Sequence, residues 1–158
     1  MTKEEQVVAL LKSKNLRISF AESCTAGLAA ARLVNVPGTS DVFEASFVTY
    51  ANRAKEEFLG VLPQTLAAHG AVSEEVAREM AKGCAEKAGA DVGVGISGIA
   101  GPDGGSAEKP VGTVCFGFYS KKGLKSTTAH FGNIGRESVR HAAVELVFDR
   151  LLTLLGES

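Results

Sequence analysis

An excess of charge of either sign is missing from this 158-residue sequence, in which 17 Lys and Arg stand against 18 Asp and Glu for a formal net charge of −1. Nucleic-acid binding needs Lys and Arg clustered to displace counterions from phosphates, so no DNA or RNA partner is expected. Long apolar runs are missing too. None approaches the roughly 20 residues that span a bilayer, and residues 1–5 lack the basic start of a signal peptide. A cytoplasmic protein with no membrane partner is the expectation. Cysteine is scarce: Cys24, Cys84 and Cys115 are odd in number, far apart and set among apolar residues, which suits reduced packing thiols better than a disulfide framework. His69, His130 and His141 are equally dispersed, and no C-x-x-C, H-x-x-x-H or H-E-x-x-H spacing occurs, so no metal site is predicted. With no repeats, linkers or low-complexity segments, a single domain over 1–158 is expected.

What is present is an ordinary globular composition, 45% hydrophobic and 22% charged. A domain of this length buries roughly 70% of the surface its unfolded chain would expose, so it folds without staples. Apolar periodicity predicts an amphipathic helix over 4–13, a strand over 16–21 and a helix over 23–34, ended by Asn35-Val36-Pro37-Gly38. A strand over 43–50 precedes helices over 52–59, 63–69 and 74–88, the last capped by Ser73. The small, β-capable run 91–97 reads as a buried strand. Runs 113–119 and 124–131, joined by Ser120-Lys121-Lys122-Gly123, read as a hairpin, and 137–155 as a long closing helix. Together these predict a three-layer α/β/α sandwich on a mixed sheet of about five strands, one of them antiparallel.

The stretch Ser97-Gly98-Ile99-Ala100-Gly101-Pro102-Asp103-Gly104-Gly105, continuing to Lys109-Pro110-Val111-Gly112-Thr113, follows a strand end, where ligands of open α/β sheets bind. Its glycines permit close backbone approach and free N–H groups, and a loop this long inside a compact domain is usually functional. A formal G-x-G-x-x-G at Gly93–Gly98 lies inside a strand and is rejected as a nucleotide motif, and no G-K-[ST] occurs. Glu22-Ser23-Cys24-Thr25 sits where strand passes to helix; Ser23 is either a helix cap or a ligand-facing hydroxyl. The segment from Thr39-Ser40 through Tyr50 to Lys55 holds a hydroxyl, a phenol and an amine, and a neutral lysine could activate a serine if burial lowered its pKa. By spacing alone, a solvated Lys55 is the default. Arg136 and Arg140 lie one turn apart at the start of the closing helix, where they suit either a phosphate ester or a carboxylate such as Glu137 or Asp41.

These blocks, Ala21-Glu22-Ser23-Cys24-Thr25, Phe47-Val48-Thr49-Tyr50, Gly70-Ala71-Val72-Ser73 and Ser97–Thr113, resemble the CinA C-terminal family over nearly the whole chain and in the right order. The resemblance implies a nicotinamide-nucleotide amidohydrolase that converts nicotinamide mononucleotide and water to nicotinate mononucleotide and ammonia. It implies a metal-independent serine-lysine mechanism with no cofactor, and a homodimer. Carried over, Ser40 resembles the nucleophile, Lys55 its general base and Tyr50 an orienting or relaying group. Ser23, Thr25, Ser97, Gly98 and Gly101 would surround the substrate, with Arg136 or Arg140 on its phosphate. Where the family usually reads Ser-Cys-Thr-Gly-Gly, this chain has Ala26 before Gly27. Many members also carry an upstream molybdopterin-binding-like domain, which is not expected here. The alternative reading is a catalytically silent nucleotide-binding or interaction module linked to competence or recombination.

Overall fold

The computed structural model describes residues 1–156. Five strands, β1 (Ile18–Glu22), β2 (Phe47–Val48), β3 (Val92–Gly98), β4 (Thr113–Ser120) and β5 (Gly123–His130), form one sheet in the order β2-β1-β3-β4-β5. β1 runs parallel to both neighbours, and β4 is antiparallel to β3 and β5, which makes β4 the one reversed strand. Six helices flank the sheet: α1 (Lys3–Lys14), α2 (Leu28–Val34), α3 (Asn52–Leu59), α4 (Pro63–His69), α5 (Glu74–Ala88) and α6 (Arg136–Gly156). The expected three-layer α/β/α architecture is the observed one.

Local chemistry fixes the boundaries. Thr2 and Ser73 cap α1 and α5 by accepting from the N–H groups of Glu5 and Val76, and Gly60 and Gly89 end α3 and α5 in left-handed conformations. Two boundaries differ from the sequence expectation. The strand expected over 43–50 pairs only at Phe47 and Val48, with Phe43 touching Ile18 through an isolated bridge, because residues 39–41 form a tight 3-10 turn before it. The helix expected from residue 23 begins at Leu28, leaving Ser23 to Gly27 as a turn.

The inner strands β1, β3 and β4 alternate between two cores. Phe20, Val94, Ile96, Val114 and Phe116 face α1, α2 and α6, where Phe20 packs on Phe148 with ring centroids 6.5 Å apart. On the other face Ala21 and Phe47 meet Leu59, Val76 and Met80 of α3 and α5. There the sheet is paved with glycine. A Cβ at Gly93 would come within 2.0 Å of the Ala81 carbonyl oxygen, one at Gly95 within 2.3 Å of Ala77 O, and one at Gly117 within 2.2 Å of the same atom. The Val-Gly-Val-Gly-Ile run that imitates a nucleotide motif is thus a packing surface, which lets α5 lie directly on β3 and β4. Gly95→Ala is expected to destabilise the fold by about 3 kcal/mol, because the clash is with backbone that no rotamer relieves; urea denaturation measures it.

Candidate active site

The three parallel strands β2, β1 and β3 end at one edge, and their pleats place a row of hydroxyls there. Thr49 N–H donates to Glu22 O at 2.9 Å and Ser23 N–H to Ile96 O at 3.0 Å, so both ladders run one residue beyond β1. That register sets Thr49, Ser23 and Ser97 side by side, about 5 Å from strand to strand. All three share the face of Phe47, Ala21 and Gly95, the face covered by α3 and α5. All three are buried, at 1%, 8% and 2% exposure.

Lys55 reaches into this row from α3. The default of a solvated lysine is overturned: Lys55 is 1% exposed. Its Nζ lies 3.2 Å from Ser23 Oγ and donates to the Tyr50 carbonyl at 3.0 Å, and no carboxylate pairs with it among the described residues. Burial pushes its pKa below the ordinary 10.5, opposed by the nearby Cys24 thiol. Cys24 is pushed up to about 11 by burial and is no rival nucleophile.

The grouping of Ser40 with Lys55 is corrected by the geometry. Ser40 is exposed in the turn Thr39–Asp41, beside the Lys12–Asp41 ion pair. The Val42 carbonyl that follows accepts from Ile18 N–H at the opposite end of β1. Five residues of strand, roughly 15 Å, therefore separate that region from Ser23. Spacing in the sequence could not reveal this, because the 3-10 turn carries Ser40 to the wrong end of the sheet. Tyr50 is brought to the site, but through its carbonyl. Its exposed phenol accepts from Arg136 Nη2 at 3.0 Å.

The turn after Ser23 is held from beneath. The Glu22 carboxylate, fully buried on the opposite face of β1, accepts from Thr25 Oγ1 at 2.6 Å and from the N–H groups of Ala29 and Ala30 at 2.9 and 3.1 Å. It takes the helix-capping role that Ser23 was one candidate for. Arg140 closes the turn from α6, donating to Cys24 O at 2.8 Å and Thr25 O at 3.1 Å. Thr25 is thus a buried structural partner, while the N–H groups of Cys24 and Thr25 donate to no group among the described residues.

Arg136 spans the mouth, giving Nη1 to Gly101 O at 2.9 Å and Nη2 to Tyr50. Neither arginine pairs with Glu137 or Asp41; Glu137 faces His141, and Asp41 faces Lys12. The glycine-rich stretch leaves β3 at Gly98 and is pinned at both ends, by Gly112 N–H to Ile99 O and by Lys109 Nζ to His69 O. At its base a Cβ on Gly112 would lie 2.2 Å from Gly132 O, so only glycine permits this approach.

Ala26 has φ +46, a left-handed conformation unusual for a residue with a β-carbon, and its side chain is exposed. The departure from glycine therefore strains the backbone rather than filling the site. Ala26→Gly is expected to stabilise the protein by about 1 kcal/mol, the strain relieved exceeding the extra chain entropy of glycine; the shift in urea midpoint reads it.

Comparison with known proteins places these residues among relatives. The family model described as the CinA C-terminal domain matches residues 1–155. A protein of Enterobacter agglomerans named nicotinamide-nucleotide amidohydrolase PncC is 53% identical over 135 residues, covering 85% of this chain and 82% of its own. A CinA-like protein of Chlorobaculum tepidum is 58% identical over 121 residues, 77% of this chain. The chain spans about a third of the length of that protein and of a similar one from Chloroherpeton thalassium. Among solved structures, the competence/damage inducible protein CihA from Agrobacterium tumefaciens superposes with a TM-score of 0.92 at 40% identity, covering 98% of this chain and 96% of that one. A CinA-superfamily protein from Klebsiella pneumoniae 700603 gives 0.93 at 34% identity over the whole of both chains.

Proposed function

The chain belongs to the CinA C-terminal domain family, and from that premise we propose that it is an amidohydrolase acting on the carboxamide of nicotinamide mononucleotide, with Ser23 as nucleophile and Lys55 as general base. The observation that carries this reading is the 3.2 Å contact between a buried, carboxylate-free lysine amine and a serine hydroxyl at the end of a parallel strand. The name of the Enterobacter agglomerans relative supplies the substrate.

The chemistry follows from what each group can do. Neutral Lys55 takes the Ser23 proton as Oγ attacks the carboxamide carbon, which the pyridinium ring makes electrophilic. The oxygen that gains charge faces the uncommitted N–H groups of Cys24 and Thr25, held in place by Glu22 below and Arg140 above. As the C–N bond breaks, Lys55 returns its proton to the departing amine, and ammonia leaves. Water, deprotonated by the same amine, then attacks the Ser23 ester; the acyl–Oγ bond breaks, Lys55 returns the proton to Ser23 Oγ, and the carboxylate product leaves. Ser97, one strand away, lies within reach of the carboxamide group, and Gly98 and Gly101 line the adjoining wall. Arg140 is spent on the turn, so Arg136, exposed at the mouth and bonded only to neutral oxygens, is the arginine that meets the phosphate.

Two measurements test the reading. Ser23→Ala is expected to lower ammonia release from nicotinamide mononucleotide by about 10³-fold or more, while Ser40→Ala leaves it unchanged. Loss on Ser40→Ala with Ser23→Ala still active would return the nucleophile to Ser40. Because the active lysine is neutral, kcat/KM should rise with pH along a limb whose midpoint lies below 10.5. A rate that falls as pH rises through that range would exclude Lys55 as the base.

A further inference from the structure

The mechanism uses two of the three hydroxyls in the row and leaves Thr49 without a task. Its Oγ1 is the buried side-chain oxygen or nitrogen with no hydrogen-bond partner among the described residues. A buried hydroxyl left unpaired destabilises the fold, and such groups collect where function retains them. Thr49 is not at a loose end of the fold: its backbone N–H is locked to Glu22 O, and its residue is 1% exposed. It lies directly across the ladder from Ser23, and the next residue supplies the carbonyl that Lys55 Nζ already bonds.

Lys55 has the complementary shortage. An ammonium carries three N–H donors, and among the described residues its Nζ meets two oxygens, Ser23 Oγ and Tyr50 O. The deficit grows during the reaction that the preceding section assigns. Once Ser23 gives up its proton the amine becomes a cation, and once Ser23 is esterified its oxygen is a poorer acceptor. We propose that Thr49 is a positioning residue for Lys55, whose hydroxyl accepts from the protonated amine and holds it in reach of the departing nitrogen. This inference rests on the Ser23–Lys55 reading. In this role Thr49 acts through the amine rather than on the substrate, in keeping with its burial.

The other ionisable groups around Lys55 leave this role open. Cys24, on the turn after β1, is a thiol held neutral by burial, and Cys84 on α5 is pushed up to about 12 for the same reason. Glu79 on α5 is engaged by Leu62 N–H and Thr65 Oγ1, and Glu22 is committed on the far face of β1. The Tyr50 phenol turns to Arg136, and Arg140 to the turn carbonyls. None of these provides the third acceptor.

The test compares Thr49→Val, which keeps the shape and removes the hydroxyl, with Thr49→Ser, which keeps the hydroxyl. Two readouts are taken: ammonia release across pH, and the titration of Lys55 followed by NMR in carbon-13 lysine-labelled protein. Thr49→Val should melt at or above the wild-type temperature, lower kcat about tenfold with KM within twofold, and move both the acid limb and the Lys55 titration to lower pH. Thr49→Ser should match wild type in all three. A Thr49→Val protein with wild-type Lys55 titration and kcat overturns the proposal, as does a Thr49→Ser protein as impaired as Thr49→Val. If Thr49→Val fails to fold, Thr49→Ala enters the same comparison. If the wild-type protein releases no ammonia, the amidohydrolase reading fails, and the NMR titration still decides the role of Thr49.

Discussion

An amine taken out of water without a counter-charge is the constraint around which this site is arranged. Lys55 is among the largest fully buried side chains of the protein, yet its partners are a hydroxyl and a carbonyl. Burial without a counter-charge disfavours the ammonium and lowers the pKa of this amine below its ordinary value. Keeping it there requires a helix to press it against the sheet. α3 does so with Leu59 and, just beyond it, Val61, which join Ala21, Val76, Met80 and Cys84 in the smaller of the two cores. The buried amine and the hydrophobic anchor are thus neighbours on one short helix, and the packing that buries Leu59 also keeps the amine four residues before it out of water.

The two faces of the sheet divide the work. One is built from Phe20, Val94, Ile96 and Phe116 against three helices, and it supplies most of the apolar burial. The other gives up side chains for closeness, since Gly93, Gly95 and Gly117 bring the backbone of α5 onto the strands. Small residues on this face end in small polar ones, Thr49, Ser23 and Ser97, which continue the same alternation to the strand ends. The row runs on through Cys115 and Thr128 to the carboxylate of Glu74, which holds Thr128 Oγ1 at 2.6 Å. A polar seam therefore crosses the sheet at one edge, and the glycine-rich segment leaves β3 beside its middle.

Periodicity made the layers, the reversed strand and nearly all the helices readable in advance, because apolar stripes report directly on which face is buried. The site was readable only as a set of residue types. Lys55, Tyr50, Ser23 and Ser97 stand out by residue type, but the choice between Ser23 and Ser40 depends on a three-residue 3-10 turn and on which end of β1 each serine reaches. Local composition does not encode that. Nor did it separate the arginines, which differ by one helical turn yet bond opposite rims of the site. Burial of Lys55 was likewise hidden, since a lone lysine on a short, charged helix looks solvated until the sheet it docks on is known. For Thr49 the signal in the sequence is the alternation from Phe47, which points it inward.

Arg136 and Arg140 both belong to α6, the last helix of the described chain, yet they fasten segments from its first and middle thirds. During synthesis β1–β5 and α1–α5 leave the ribosome before these two residues do. A nascent chain can therefore gather Ser23 and Lys55 while the turn carbonyls of Cys24 and Thr25 and the Gly101 segment are still untethered. Under the proposed reaction, completion of the site would follow the emergence of α6 and not that of the sheet alone.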